Sequence, residues 1–530
     1  MLFNSYQFIF LFLPITWLGY YFIFKIWNSG NAIFWLIFCS LFFYSWWNPI
    51  YFFLIILSIL INFFVASLIN NYEKKIFLIL GILFNISLLA YFKYYNFFVE
   101  IVIFTSNLEL ITKIIILPLG ISFYTFQQIT FLVDVHNKKI NNVNFKDFVI
   151  FITFFPQLIA GPIVHHTQVL YQFKNNYFNE KKLSYLSIGF SIFVIGLFKK
   201  VVIADNLAFY SSPIFFAANH SMSVSFLEAW SGILCYSLQI YFDFSGYSDM
   251  AIGLGYMFGI KLPLNFNSPY KASDIGEFWR RWHITLGIFF KNYVFYPLSL
   301  FFTRLSLRKK RNKYINYTLT MFMPSLLTYT LIGVWHGSGI NFLLFGTMHA
   351  FFIIINNIWK RSQGIKIKNF YKKYSLTSYL LSCFLVFLSF SISLVFFRAP
   401  TYESAVIIYK AMLSINNTII PESWFLILHS LIGQNLMDFV GINHGLLPFF
   451  FGINQILIIL LLYLFCLLAP NTKSLFHDYF PSITKSDEDR LKIFKVHWKP
   501  NIYWSIVICF LFTYTVMNLS NISEFIYFQF

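Results

Sequence analysis

Residues 316–359 read NYTLTMFMPSLLTYTLIGVWHGSGINFLLFGTMHAFFIIINNIW. Two mostly apolar runs, 316–335 and 339–359, meet at the glycine-rich break Trp335-His336-Gly337-Ser338-Gly339. Each run has the ~20 residues that a helix needs to cross a bilayer. Basic clusters flank the pair. Segment 304–313 carries Arg304, Arg308, Lys309, Lys310, Arg311 and Lys313, and segment 360–373 carries Lys360, Arg361, Lys366, Lys368, Lys372 and Lys373, neither with an acid. Two spans between them put both clusters on one side of the membrane, and their charge makes that side cytoplasmic. The break that holds His336 then lies deep in the membrane or near its outer face.

The whole chain has the same character. Of its 530 residues, 58% are hydrophobic and only 11% charged, with a mean hydropathy of +0.67. A soluble globular protein carries about 25% charged residues. This composition excludes a disordered chain, a secreted disulfide scaffold and a soluble enzyme. The net charge of +18 sits in short loops between apolar runs. That is the positive-inside pattern rather than a nucleic-acid surface. The five cysteines, Cys39, Cys235, Cys383, Cys466 and Cys509, lie within apolar runs and read as small buried hydrophobes.

Working outward, apolar stretches cover 8–24, 33–46, 50–69, 76–98, 100–117, 118–135, 147–163, 184–203, 224–244, 285–302, 376–397, 447–468 and 502–520. The first reads as a membrane helix rather than a signal peptide, since no basic residue precedes it. Several stretches are too short to span unless tilted or re-entrant. The expected fold is an all-α polytopic membrane protein. It has about ten to thirteen transmembrane helices, plus re-entrant and interfacial ones. One domain, 1–530, is expected. Segment 399–446, with Pro400, Pro421 and several glycines, is expected to carry amphipathic helices on the outer surface. The polar stretch 471–501 is expected to be a cytoplasmic loop. No internal repeat is visible.

Polar groups at membrane depth are costly, so each one suggests a function. The densest run extends from Gln239 to Met250 and holds Asp243, Ser245, Ser248 and Asp249. It lines either a water-filled interior or a polar helix seam. The Pro- and Asn-rich segment 263–270 precedes Asp274 and Glu277, which have the spacing of a capping box. On the helix so started, Glu277 and Arg281 are positioned to pair. Trp279, Arg280, Arg281, Trp282 and His283 crowd its far end. Such a helix start suits a phosphate, a carboxylate or a thioester carbonyl, or else anchors at the membrane interface. His336, at its glycine-rich break, is accessible and titrates near neutral pH. It reads either as a proton-transfer group or as a structural histidine bonded to a carbonyl. His165-His166 do not read as a metal site, because adjacent side chains diverge and no Cys or acid completes a set.

Nine ordered motifs resemble the membrane-bound O-acyltransferase family, within it the bacterial branch of alginate O-acetylation proteins. They are Pro118 to Gln127, Phe155 to Ile163, Gly196 to Asp205, Gln239 to Met250, Asn265 to Tyr270, Glu277 to His283, Trp335 to Gly337, Phe396 to Ala399 and Phe525 to Phe530. Peptidoglycan O-acetyltransferases and the D-alanyl transfer protein of teichoic acids are related members. The resemblance implies a helical membrane enzyme with a funnel or tunnel through the bilayer, and places its core motifs in 118–350. His336 matches the family's catalytic histidine and His283 the second histidine of its active site. Implied too is transfer of an acyl group, usually acetyl, from a cytoplasmic thioester (acetyl-CoA or an acyl carrier protein) to an extracytoplasmic polysaccharide, often through a partner protein. The corresponding location is the bacterial cytoplasmic (inner) membrane. No bound cofactor or metal is expected.

The residues fit that chemistry independently. A hydroxyl attacking a thioester needs a base, and a neutral histidine in a dry cavity can take its proton and return it to the leaving thiolate. His336 is the candidate base. His283 would position the donor carbonyl or hydrogen-bond the acceptor hydroxyl. Asp243, Ser245, Asp249, Trp279, Arg280, Arg281 and Trp335 are the candidate cavity residues. Asp243, Ser245, Asp249, His283 and His336 are expected to converge on one cavity. The rival reading is a transporter or flippase for a glycan or lipid, with Asp243 and Asp249 coupling protons. A scaffold for an envelope complex would leave the histidines without a role.

Overall fold

The computed structural model describes residues 1–106, 115–140, 143–174, 182–307, 316–362, 375–414, 418–432, 437, 441–483 and 496–519. Most of the basic clusters after Leu307 and Ser362, part of the 471–501 stretch and the motif Phe525 to Phe530 lie outside the described residues.

The described chain is helical. In order it forms α1 Phe8–Ile26, α2 Ser29–Ser45, α3 Ile50–Tyr72, α4 Lys75–Ile103, α5 Ile121–His136, α6 Phe145–Thr153, α7 Leu183–Asn219, α8 Phe226–Met257, α9 Ile275–Arg281, α10 Ile284–Leu307, α11 Thr318–His336, α12 Ile340–Ser362, α13 Leu376–Arg398, α14 Tyr402–Leu413, α15 Glu422–Ile432, α16 Ile453–Leu468 and α17 Ile502–Met517. Strands Thr418–Ile420 and Ile442–His444 form one parallel pair. Among the described residues, eight helices are long and apolar enough to cross a membrane: α1, α3, α4, α7, α10, α11, α12 and α13. Helices α2, α16 and α17 are apolar but shorter.

The exterior is apolar, and the largely apolar interior also buries a set of polar side chains. On α3, Ile50, Phe53, Leu57, Leu60 and Phe64 are exposed at alternating three- and four-residue spacing, one helical stripe facing outward. The opposite stripe buries Ser58 and Asn62. Gln128 of α5 accepts from Ser58 Oγ at 2.9 Å and from Asn62 Nδ2 at 3.2 Å, and Asn85 Nδ2 of α4 donates to Asn62 Oδ1 at 2.6 Å. These bonds tie three helices where no water competes.

Helix α8 is the central element. Ser225 starts it with a reciprocal capping box: Ser225 Oγ accepts from the Glu228 amide and Glu228 accepts from the Ser225 amide. Its 32 residues extend about 48 Å, and nearly all of them from Glu228 to Met257 are buried. Along α7 the backbones meet. A Cβ on Gly189 would sit 2.6 Å from Gly253 O, and one on Gly196 would sit 2.6 Å from Gly246 O, with reciprocal distances of 2.5 and 2.7 Å. No larger residue fits at these four positions without displacing backbone.

Four of the stretches expected from the sequence differ in extent or placement. The stretches 118–135 and 224–244 are interior helices walled by protein. The stretch 147–163 is not one span, because α6 ends at Thr153 and Phe154-Phe155-Pro156 redirects the chain. The stretch 184–203 runs on to Asn219, as Lys199 and Lys200 do not end the helix. They sit in a π-helical turn, Lys199–Ala204, and reach carboxylates inside the protein. Segment 399–446 carries the amphipathic α14, whose Ala405, Ile408 and Ala411 are buried. Cys509, unlike the other four cysteines, is exposed.

Candidate active site

Helix α11 ends at His336 because Gly337 turns fully extended. Gly333 then lets α12 fold back closely, since a Cβ there would lie 2.7 Å from Gly346 Cα. The turn is thereby held against the bundle with both Trp335 and His336 buried. His336 packs edge-on to Phe397, with ring centroids 5.1 Å apart. It borders a cavity of about 260 Å³ that Lys93, Pro118, Gly120, Ser122 and Trp335 also line.

His283 reaches the same place from another direction. Asp274 Oδ1 caps α9 by accepting from the Glu277 amide at 3.0 Å. Glu277 returns its bond one residue earlier than a strict box, accepting from the amide and hydroxyl of Ser273 at 2.9 Å. It also pairs with Arg281 at 3.0 Å, as the spacing predicts. After Trp282 the chain turns through His283 in the left-handed region, φ 42°, a conformation that non-glycine residues hold only under tertiary constraint.

That constraint is Asn265. Its Oδ1 accepts from His283 Nδ1 at 2.9 Å, from Thr285 Oγ1 at 2.9 Å and from the Thr285 amide at 3.3 Å. A backbone amide can only donate, so this atom is the amide oxygen and His283 Nδ1 carries the proton. The lone pair of the neutral ring is therefore on Nε2. Thr285 Oγ1 in turn accepts from the Ile163 amide at 3.0 Å. Three sequence motifs thus meet at one asparagine.

The indole of Trp335 joins the two histidines. Its ring lies 4.8 Å from that of His336 and 6.2 Å from that of His283. Phe126 stacks on it at 5.4 Å. Phe244 of α8 meets His283 edge-on at 4.8 Å.

The other expected cavity residues divide. Asp243 pairs with Lys200 at 2.8 Å, and Lys200 also pairs with Asp205 at 2.6 Å. Asp249 pairs with Lys199 at 2.6 Å and accepts from Thr472 Oγ1 at 2.6 Å. Neither aspartate lines the His336 cavity. Both lie on the side of α8 turned to α7, while Phe244 and Ser248 lie on the side turned to the 265–283 segment. Convergence of all five residues is therefore corrected: the histidines share Trp335, and the aspartates serve a separate ion-pair layer. Ser245 is buried, and its hydroxyl has no hydrogen-bond partner among the described residues. Trp279 donates from Nε1 to His349 Nδ1 at 3.3 Å, and His349 Nε2 bonds Ser393 Oγ at 2.9 Å. Arg281 donates from Nη1 to Asn267 O at 3.0 Å, fastening the loop before α9. Arg280 is exposed.

The side chains of His165 and His166 do not diverge as adjacency suggested. Their rings lie 4.7 Å apart, and Asp134 of α5 supplies the acid that the sequence reading lacked. One ligand atom from each of the three falls within 4.8 Å of the others, a spacing a metal ion could use. Asp134, however, already holds His165 Nε2 at 2.5 Å, Lys139 Nζ at 3.0 Å and Tyr293 OH at 3.2 Å. An ammonium on the same carboxylate opposes a divalent cation.

Sequence reading passed over Asn265 as a functional group, and also Lys93, His349 and Asp134. Lys93 and Asp134 do carry a signal, a charged side chain inside a predominantly uncharged helical run.

The family model described as MBOAT, membrane-bound O-acyltransferase family, matches residues 83–397. The chain is 40% identical over 453 residues to the peptidoglycan O-acetyltransferase of Helicobacter pylori, covering 78% of this chain and 80% of that one. It is 34% identical over 428 residues to a protein of Pseudomonas aeruginosa named probable alginate O-acetylase, covering 78% and 75%. A teichoic acid D-alanyltransferase of Bacillus subtilis is 29% identical over 244 residues, covering 46% and 60%. With the apolar exterior, the buried pair of histidines and these relatives together, the chain belongs to the membrane-bound O-acyltransferase family and is a multi-pass membrane O-acyltransferase.

Proposed function

We propose that this enzyme moves an acetyl group from a cytoplasmic thioester, acetyl-CoA or an acyl carrier protein, to a hydroxyl of an extracytoplasmic cell-envelope polysaccharide, in the bacterial inner membrane. Peptidoglycan is the acceptor to test first, by likeness to the Helicobacter pylori relative. The carrying observation is the buried His336 at the border of a cavity, sharing Trp335 with His283.

In this reading His336 takes the proton of the acceptor hydroxyl, whose oxygen attacks the acyl carbon. The carbon–sulfur bond breaks, and the same imidazole returns the proton to the thiolate. His283, with its proton on Nδ1, offers Nε2 as a hydrogen-bond acceptor. That suits the incoming hydroxyl rather than the donor carbonyl. Arg281 and Trp279 act behind the site by holding the 265–283 segment. An extracytoplasmic partner protein completes delivery when the glycan lies beyond the membrane.

The test is acetyl transfer in membrane vesicles with labelled acetyl-CoA or acetyl carrier protein and isolated glycan. Loss of a general base costs ~10²–10⁴-fold in rate, so His336→Ala should lose transfer at wild-type protein level. Wild-type transfer by His336→Ala would overturn the assigned chemistry, and label on no envelope glycan would overturn the acceptor class.

A further inference from the structure

Helix α4 is apolar for most of its length but carries Lys93 within a π-helical turn, Ala90–Tyr94. Such turns concentrate at functional sites, and a lysine at membrane depth is retained only with partners. Its partners are specific. Lys93 Nζ donates to the carbonyls of both Trp335 and His336, the second at 2.9 Å. The neighbouring Tyr94 OH donates to Val334 O at 2.6 Å. The ammonium also lies 5.8 Å from the centroid of the Trp335 ring and lines the cavity beside His336.

These three carbonyls belong to the last turn of α11, where a helix has no amide left to satisfy them. Gly337, being extended, supplies no closing turn. In an apolar interior such carbonyls are costly to leave unsatisfied. The negative end of the helix dipole points at the same place. One ammonium meets both demands on the residue that bears the imidazole and on the residue before it.

We propose that Lys93 is a positioning residue for acyl transfer. It clamps the last two carbonyls of α11 so that the His336 imidazole and the Trp335 indole keep a fixed aim into the cavity. Lys93 acts on the imidazole through the backbone, so its loss should lower turnover more than donor binding. This rests on His336 being the base, and the experiment separates the two ideas.

Lys93→Met, Lys93→Gln, Lys93→Arg, Tyr94→Phe and His336→Ala are compared for kcat and donor KM, normalised to folded protein in the membrane. An error of about 1 Å in a reacting group can cost ~10²-fold. Lys93→Met should therefore lose about 10²-fold in kcat, with donor KM changed by less than about threefold. Arginine, which keeps the charge and can donate to both carbonyls, should restore at least a tenth of the activity. Gln should fall between, and Tyr94→Phe should stay within about tenfold of wild type. If Lys93→Met does not accumulate, the Gln and Arg variants carry the comparison. Wild-type kcat in Lys93→Met or Lys93→Gln, or arginine no better than glutamine, overturns the positioning role. Activity in His336→Ala instead overturns the base assignment on which it stands.

Discussion

Asn265 Oδ1 lies 2.9 Å from His283 Nδ1, and that one oxygen also holds the hydroxyl and amide of Thr285. It sets the imidazole's tautomer and the turn that carries it. Asn265→Ala should lower kcat by roughly 10²-fold while donor KM changes little. Steady-state kinetics on vesicles checks this, and an unchanged kcat would remove Asn265 from the site.

The left-handed backbone at His283 makes its replacements unequal. His283→Ala removes the imidazole and strains the turn, whereas His283→Asn removes it but tolerates positive φ. Both should lose transfer severely, by ~10²-fold or more. The Asn variant should keep the higher thermal midpoint in detergent. Equal midpoints would mean that the turn stores no strain.

The aspartates of α8 should behave as structural ions. Removing one partner of a buried pair costs ~3–5 kcal/mol, so Asp243→Ala should lose accumulated protein and thermal stability. Because Lys200 also holds Asp205, the triple variant Asp243→Ala, Lys200→Met, Asp205→Ala should recover part of that loss, as it leaves no lone charge. Activity per folded molecule should stay near wild type in the triple variant. A well-folded but inactive triple variant would assign Asp243 or its partners to the chemistry.

Orientation has a direct check. Leu307 and Ser362, at the ends of α10 and α12, are exposed. Ser306, by contrast, is buried and bonded to Asn316. Cysteines at Leu307 and Ser362 should stay unlabelled by an impermeant thiol reagent in intact cells and react after permeabilisation. Labelling from outside would invert the arrangement and place the His336 turn toward the cytoplasm.

Much of this was legible before any coordinates. Apolar runs and their basic flanks give the helical membrane class, since a bilayer constrains composition residue by residue. The motifs around His283 and His336 point to the site because an imidazole beside a glycine break is rare in hydrocarbon. Which side of a helix a polar group takes was not legible. Asp243 and Ser248 stand five residues apart, yet one meets Lys200 and the other Asn265, a division decided by what packs on each face. Lys93 and Asp134 were missed for a related reason. Each is a single charge with partners from distant sequence, Lys93 with the carbonyls of Trp335 and His336 and Asp134 with His165 and Tyr293.

The glycine pairs between α7 and α8 bear on how substrates arrive. Gly189 opposes Gly253 and Gly196 opposes Gly246 with backbone against backbone. Sliding either helix by a residue would drive a side chain into a carbonyl, and close packing does not absorb such a shift. The two helices are thus locked to each other, and Phe244 of α8 carries that locked surface to the face of His283. In the proposed reaction such a pair offers a fixed rendezvous, to which donor and acceptor would each travel.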